Sequence, residues 1–146
     1  MYSILDKGRD EVLSNHTLQK IIADIYEIIG VECSIWSMEG KCLAVSSGDG
    51  SEIKERVRNF LTLEDTDEQV TNRGAYFKIY DEEQPIYVFA VHKASEYVLV
   101  SGRLCVNQFE HLIQAYKSRL DKNRYYQNLL FQMLIYRELK LLEISI

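Results

Sequence analysis

The residues of this chain that most often do chemistry are few and stand far apart in the sequence. They are three histidines and three cysteines: His16, His92, His111, Cys33, Cys42 and Cys105. A nucleophile needs a base within hydrogen-bond distance, and a metal ion needs several ligands at short spacings. None of the six lies in such a motif, and an odd number of cysteines without a Cys-x-x-Cys pair predicts no disulfide framework. We therefore expect no catalytic residue, no metal site and no cofactor, and interpret the cysteines as small buried hydrophobic residues.

A second pattern, on the predicted strands, indicates ligand binding rather than catalysis. Strand residues alternate between two faces, which places Trp36, Tyr76, Lys78 and Arg103 opposite the apolar residues. Aromatic side chains exclude water, and a guanidinium with an ammonium group binds a carboxylate or a similar anion. These four residues are the predicted ligand site, and a small anionic metabolite is the predicted ligand. The alternative is that this face is the solvent side of the sheet, or that Trp36 is core beneath a helix.

The composition fits one globular domain, because 47% of the 146 residues are hydrophobic and 27% are charged. Residues 1–102 hold 10 Lys and Arg against 18 Asp and Glu, and residues 103–146 hold 7 against 4. Nucleic-acid binding needs clustered cations, so this acidic body predicts no direct binding of nucleic acid. The chain shows no secretory leader and no apolar stretch of the ~20 residues that span a bilayer. We expect a cytoplasmic protein without membrane contact.

Helical spacing and turn residues divide the first part of the chain into a helix, a hairpin and a second helix. Ser14 is a predicted N-cap, and Gly30 a predicted helix end. Residues 31–38 and 41–46 alternate like two strands joined by a tight turn. Asp49 and Glu52 then have the spacing of a capping box in front of a short amphipathic helix.

Three further strands are predicted at residues 75–80, 86–92 and 97–103, with short turns between them. Strands joined by short turns pair as antiparallel neighbours. The order helix, hairpin, helix, three-stranded meander and helix predicts an α+β fold. It is a five-stranded antiparallel sheet flanked by helices, as in PAS and GAF sensor domains, with a long C-terminal helix. Residues 1–105 are the predicted sensor core.

From about Val106 onward, apolar residues follow a heptad spacing of three and four that no glycine or proline interrupts. Such spacing is typical of helices that pair in a coiled coil. Residues 106–146 are therefore a predicted dimerisation and signalling helix of the same domain. The predicted dimer contacts are Ile113, Tyr116, Leu120, Asn123, Gln127, Leu130 and Leu134. The alternative is that the heptad residues are a packing stripe within one chain.

Several short segments resemble a known family. They are residues 39–41 (EGK), 74–81 (GAYFKIYD), 112–117 (LIQAYK) and 121–130 (DKNRYYQNLL). In this order they resemble the amino-terminal domain of PucR/CdaR-like bacterial transcriptional regulators. The sequence departs from the family pattern after Leu130, where Phe131-Gln132-Met133 replaces the usual Leu-Asp-Asn. The resemblance implies effector sensing and dimerisation and names no ligand.

These observations together predict a ligand-sensing, homodimerising regulatory domain of a bacterial transcriptional regulator, without its DNA-binding part. Ligand binding to the sheet would favour one of two arrangements of the paired helices. The alternative is a dimerisation module that binds no small molecule. A small enzyme, the third class, would need an arranged cluster of histidine, acid and nucleophile.

Overall fold

The computed structural model describes the backbone of residues 13–145 and the side chains of that range except those at 121–128, 136 and 138–145. The described chain is an α+β fold with one five-stranded antiparallel sheet, flanking helices and a long C-terminal helix. This much of the predicted fold is confirmed. The elements in chain order are α1 (Asn15–Ile29), β1 (Cys33–Ser37), β2 (Cys42–Val45), α2 (Lys54–Leu61), β3 (Glu68–Thr71), β4 (Gly74–Asp81), β5 (Gln84–Val91) and α3 (Val98–Ser145).

Helix α1 begins and ends where its capping residues predict. The Thr17 amide donates to Ser14 Oγ at 3.1 Å, which satisfies one of the free amides of the first turn. Gly30 ends the helix with φ of 69°, a left-handed conformation that costs glycine little. The buried residues Leu18 and Ile22 lie one turn apart, so one face of α1 packs against the sheet.

The start of α2 differs from the predicted capping box. Its N-cap residue is Ile53, which makes no side-chain capping bond. Asp49 Oδ1 instead accepts from the Ser51 amide at 3.0 Å, within the loop that precedes the helix. Asp49 is therefore a turn residue, because an aspartate side chain readily accepts from the backbone two residues on.

The sheet has the order β2-β1-β5-β4-β3. Strand β3 was not predicted, since four residues after an acidic loop carry little hydrophobic signal. The strand predicted at residues 97–103 is wrong: α3 begins at Val98, ahead of the predicted start near Val106. One strand was missed and one was wrongly predicted. The predicted number of five strands is therefore correct, but one of the five predicted segments is not a strand.

The first turns of α3 have a sequence that resembles a strand, but they form a helix that packs against the sheet. Val98, Phe109 and Ile113 are buried against the sheet, with Cys105 partly buried beside them. Gly102 brings the helix backbone close to β4, since a Cβ atom there would lie 2.1 Å from Phe77 Cζ. Close approach of this helix therefore needs a residue without a side chain at position 102.

Two hydrophobic clusters lie on opposite faces of the sheet. One face packs against α1 and α3, and it includes Ile35, Phe77 and Phe89. The other packs against α2 through Val57 and Phe60. Helices therefore cover both faces of the central strands.

The chain divides into two units, Met1–Ile113 and Gln114–Ile146. The first contains the sheet, and the second is the distal part of α3, so the boundary predicted at 105/106 falls inside a helix. In the part of the chain that the structure describes, no helix combines the length and the hydropathy required to cross a membrane.

Candidate functional site

Three of the four predicted ligand residues do share one face of the sheet. Trp36 on β1 and Lys78 on β4 are both opposite Val88, and Tyr76 is opposite Ala90. This face is covered by α2, and Trp36 is only 1% exposed. The structure thus matches the alternative in which Trp36 is core beneath the second helix.

The Lys78 ammonium group makes contacts within the protein that stabilise the fold. It is 5% exposed, donates to the backbone carbonyls of Leu63 and Glu64 at 3.0 Å each, and lies 5.6 Å from the centroid of the Phe60 ring. Those carbonyls follow the end of α2, where a cation is favourable. Lys78 therefore holds the end of α2 onto β4. The Tyr76 hydroxyl is also buried on this face and has no hydrogen-bond partner among the described residues.

Arg103 does not lie on the predicted face, because it stands on α3 and not on a strand. Its Nε donates to both carboxylate oxygens of Glu68 on β3 at 3.1 Å, and its Nη2 contacts Oε1. The Arg103 guanidinium holds the pKa of the Glu68 carboxyl below its usual value. Arg103 therefore joins the start of α3 to the edge strand, and its placement beside Trp36, Tyr76 and Lys78 is wrong.

A polar network that sequence reasoning missed lies at the end of β5. Ser34 Oγ lies 2.7 Å from His92 Nε2 and accepts from Trp36 Nε1 at 2.7 Å. Glu32 Oε2 accepts from the hydroxyls of Ser46 and Ser47. Strand alternation places Ser34 and Trp36 together, but only the pairing of β1 with β5 brings His92 to them.

The network contains serine, histidine and carboxylate side chains, which are the residue types of a hydrolase active site. Their environment, however, is that of a structural hydrogen-bond cluster. Ser34 is fully buried, and its oxygen already accepts a hydrogen bond from the indole of Trp36. A catalytic serine must reach a substrate, and its histidine must be oriented by an acid. The Glu32 carboxylate accepts from the hydroxyls of Ser46 and Ser47, is hydrogen-bonded to the Tyr26 side chain as well, and acts on His92 through its charge. The arrangement therefore supports fixing of β1, β2 and β5 rather than nucleophilic attack.

The cysteines are free thiols whose environment disfavours the reactive thiolate. Burial raises the pKa of Cys33 to about 12. Burial likewise raises the pKa of Cys42 and that of Cys105. Since the thiolate is the nucleophile and metal-binding form, these environments fit hydrophobic residues better than reactive ones.

The His92 ring gives the first testable prediction. Burial lowers the pKa of His92 from its usual 6.5 to about 4, with a smaller effect of Arg56 in the same direction and an opposing one of Glu32. Between these two values the unfolded chain binds a proton that the folded chain does not, so the free energy of unfolding must fall as the pH falls. We expect a loss on the order of 1 kcal/mol from pH 7 to 5, allowing for partial solvent screening.

Urea unfolding at pH 7, 6 and 5 measures this loss. The lowered pKa values of Glu32, Glu68 and Asp49 add a loss of the same sign that begins near pH 5, so the comparison with a His92 variant isolates the contribution of His92. His92→Gln should flatten the slope. The exposed His111 offers a matched control, and His111→Gln should keep the wild-type slope. Equal slopes in wild type and His92→Gln would show that His92 is not the group responsible.

Two clefts open on either side of α2. The first, the Trp36 cleft, has a volume of about 430 Å³ and is lined by Trp36, Glu39, Gly40, Lys41, Cys42, Asp49, Gly50, Ser51, Lys54 and Arg58. The second, the Arg56 cleft, has a volume of about 400 Å³ and is lined by Glu52, Arg56, Asn72, Arg73, Lys93 and Ala94. Both are open depressions of the surface, with volumes in the range of small-molecule sites. No lining residue of the Arg56 cleft was predicted to bind a ligand, because its cations come from three separate segments that carry no common motif.

The loop that closes the Trp36 cleft depends on glycine. Gly50 has φ of 80°, and a Cβ atom there would lie 3.0 Å from Cys42 Sγ and 3.1 Å from Trp36 Cζ2. The glycine therefore lets the loop close over the indole, so Trp36 presents little surface to a ligand even though it borders this cleft.

The predicted dimer contacts fall into two groups. Ile113 is fully buried and packs in the core, which matches the intramolecular alternative for the proximal heptads. The exposed ones are Tyr116, Leu120, Leu130 and Leu134. The side chains of Asn123 and Gln127 lie outside the described residues.

Comparisons with known proteins give little. No family model matches the chain, and no curated protein sequence matches it. Among solved structures it is similar to a Roadblock/LC7 domain from Streptomyces avermitillis, with 11% identity and a TM-score of 0.44, over 62% of this chain and 96% of that one. A neighbour this distant says nothing about function.

The resemblance to PucR/CdaR-like regulators is therefore wrong: no family model matches the chain, and the solved structure named above is a Roadblock/LC7 domain. The segments that suggested it are physically generic. Residues 112–117 and 121–130 belong to the long helix α3, and residues 74–81 form a β-strand. Such patterns arise wherever a helix must pair or a strand must be buried.

Proposed function

We propose that this chain is a homodimerising regulatory domain, in which two copies pair along the distal half of α3 and a PAS/GAF-like core binds a small ligand. The observation that carries the proposal is the exposure of large apolar side chains on that half. Leu130 is 59% exposed and Leu134 58%, and Phe131 and Met133 beside them are exposed as well. Contiguous apolar surface of this kind usually marks an interaction site.

The spacing of these residues favours a second copy of the same chain as the partner. Leu130 and Leu134 continue the heptad that begins at Val106, and two helices with one heptad pattern are self-complementary. Phe131 and Met133 flank the seam where coiled coils often carry charges, which widens the apolar face. A wider face supports an extensive, stable association rather than a marginal contact.

Two observations support a regulatory role over a catalytic one. Ser34 is buried and already accepts a hydrogen bond from Trp36, and burial disfavours the thiolate of each cysteine. The clefts that flank α2 carry charged side chains suited to binding. The cytoplasmic location remains part of this proposal. The transcriptional role rested on the rejected resemblance and has no other support.

The second candidate is a dimerisation module without a ligand. It is favoured by the filling of the predicted ligand face, where Trp36, Tyr76 and Lys78 are buried beneath α2. In that case the core would only support the helix, and neither cleft would have an occupant.

Native mass spectrometry of the purified chain distinguishes these possibilities. The proposal predicts twice the 17.1 kDa of one chain, with additional mass from a retained small molecule or from one added during a screen of metabolites. A dimer that accepts no small molecule in that screen would favour the second candidate. A monomer at micromolar concentration would contradict both.

A further inference from the structure

We propose that the Arg56 cleft is a binding site for a small molecule that carries a phosphate or a comparable dianionic group. The inference rests on the proposed sensing function and gives it a location and a ligand class. The cleft lies between α2, the β3–β4 turn and the segment after β5, away from the buried face on which a ligand was expected.

Charge is the first reason. Arg56, Arg73 and Lys93 line one cleft, although residues 1–102 contain only 10 basic residues against 18 acidic ones. Among the described residues the ion pair is that of Arg103 with Glu68, so no described carboxylate lies within ion-pair distance of these three cations, although Glu52 lines the same cleft. Like charges gathered in this way repel one another, and a bound anion relieves that repulsion.

Preorganisation is the second reason. Arg56 reaches from α2 to the β3–β4 turn, where its Nη1 donates to the Arg73 carbonyl oxygen at 3.2 Å. Gly74 holds the same turn against the end of β5, since a Cβ atom there would lie 2.2 Å from the Val91 carbonyl oxygen. The turn that carries Arg73 is thereby fixed beside the segment that carries Lys93. Groups held in place before binding lose less entropy when a ligand arrives.

The balance of charges selects the ligand class. Three cations and the Glu52 carboxylate leave a net charge of two, which matches the charge of about −1.5 to −2 on a phosphate monoester at pH 7. The planar guanidinium groups pair well with phosphate oxygens. Glu52 and Asn72 supply an acceptor and an amide for a hydroxyl or amino group on the rest of the molecule. The Trp36 cleft fits an anion less well, because two carboxylates oppose its three cations.

The test is a titration of the full chain with inorganic phosphate at constant ionic strength, followed by the amide resonances of Gly74 and Ala94. We expect saturable binding. Arg73→Gln combined with Lys93→Gln should weaken it by about tenfold, and Glu52→Gln should strengthen it by about threefold, as expected for the loss or relief of exposed charge pairs. Arg58→Gln is the matched control, since Arg58 lies on the same helix but lines the Trp36 cleft. It should change binding by less than about twofold.

Absence of saturable shifts, or equal weakening by Arg58→Gln, would overturn the site. An oligonucleotide that displaces phosphate with a steep salt dependence would assign the cleft to nucleic acid instead and overturn the small-molecule class. Light scattering on the same samples separates this inference from the proposed association. A dimer that does not bind phosphate overturns the site alone, and a monomer that binds phosphate overturns the dimer alone.

Discussion

Replacement of Trp36 with alanine is expected to lower the free energy of unfolding by about 3–5 kcal/mol. The indole is 1% exposed between the sheet and α2, and its Nε1 donates to Ser34 Oγ at 2.7 Å. Alanine would leave a cavity and remove that donor. Urea unfolding monitored by circular dichroism measures the change.

One further variant separates the packing of the Trp36 ring from its hydrogen bond, and a second variant is a control at an exposed site. Trp36→Phe keeps most of the buried surface but removes the hydrogen bond, so we expect a smaller loss of about 1–3 kcal/mol. Tyr97→Ala removes an exposed aromatic ring and should change stability by less than about 0.5 kcal/mol. If Trp36→Ala cost less than about 1 kcal/mol and instead removed ligand-induced stabilisation, Trp36 would be a ligand wall and not core.

The second large effect is expected on self-association. Leu134→Asp would place a carboxylate in the apolar seam of both paired helices, where an unpaired charge costs several kcal/mol. We expect the dimer dissociation constant to rise on the order of a thousandfold. Sedimentation velocity measures it, and Leu130→Asp should have a similar effect.

Leu104→Asp is the matched control for the seam. Leu104 is 62% exposed, close to the 58% of Leu134, and lies on the same helix outside the heptad seam. It should leave the dissociation constant nearly unchanged. Dissociation by Leu104→Asp but not by Leu134→Asp would move the interface to the first turns of α3 and reject the distal seam.

The parts of the fold that sequence predicts correctly are those with strong local signals. Ser14 and Gly30 bound α1 because capping bonds and left-handed φ values depend on a few neighbouring residues. The β1–β2 hairpin and the pairing of β4 with β5 follow from alternation and short turns.

The error at residues 97–103 has a physical cause. Tyr97, Val98 and Val100 are residues that strands favour, and alternation over so short a run resembles one face of a helix. Long-range packing decides the outcome, because Gly102 against Phe77 seats the chain as a helix on the sheet. That contact joins positions 25 residues apart and leaves no local signal.

The candidate site shows the same division between local and long-range information. The alternation of side chains along a strand correctly places Trp36, Tyr76 and Lys78 on one face of the sheet. It cannot show that α2 covers that face. The Arg56 cleft depends on the meeting of three segments, and its cations look like ordinary surface residues in the sequence. A region of converging charges is thus visible only after the chain is folded.

The central claim is that this chain functions as a pair, and the mass of the wild-type chain in solution tests it most directly. Multi-angle light scattering on the purified protein at micromolar concentrations should give twice the 17.1 kDa of a single chain. Leu134→Asp should reduce that value toward one chain under the same conditions. A wild-type mass of one chain across the whole concentration range would contradict the account.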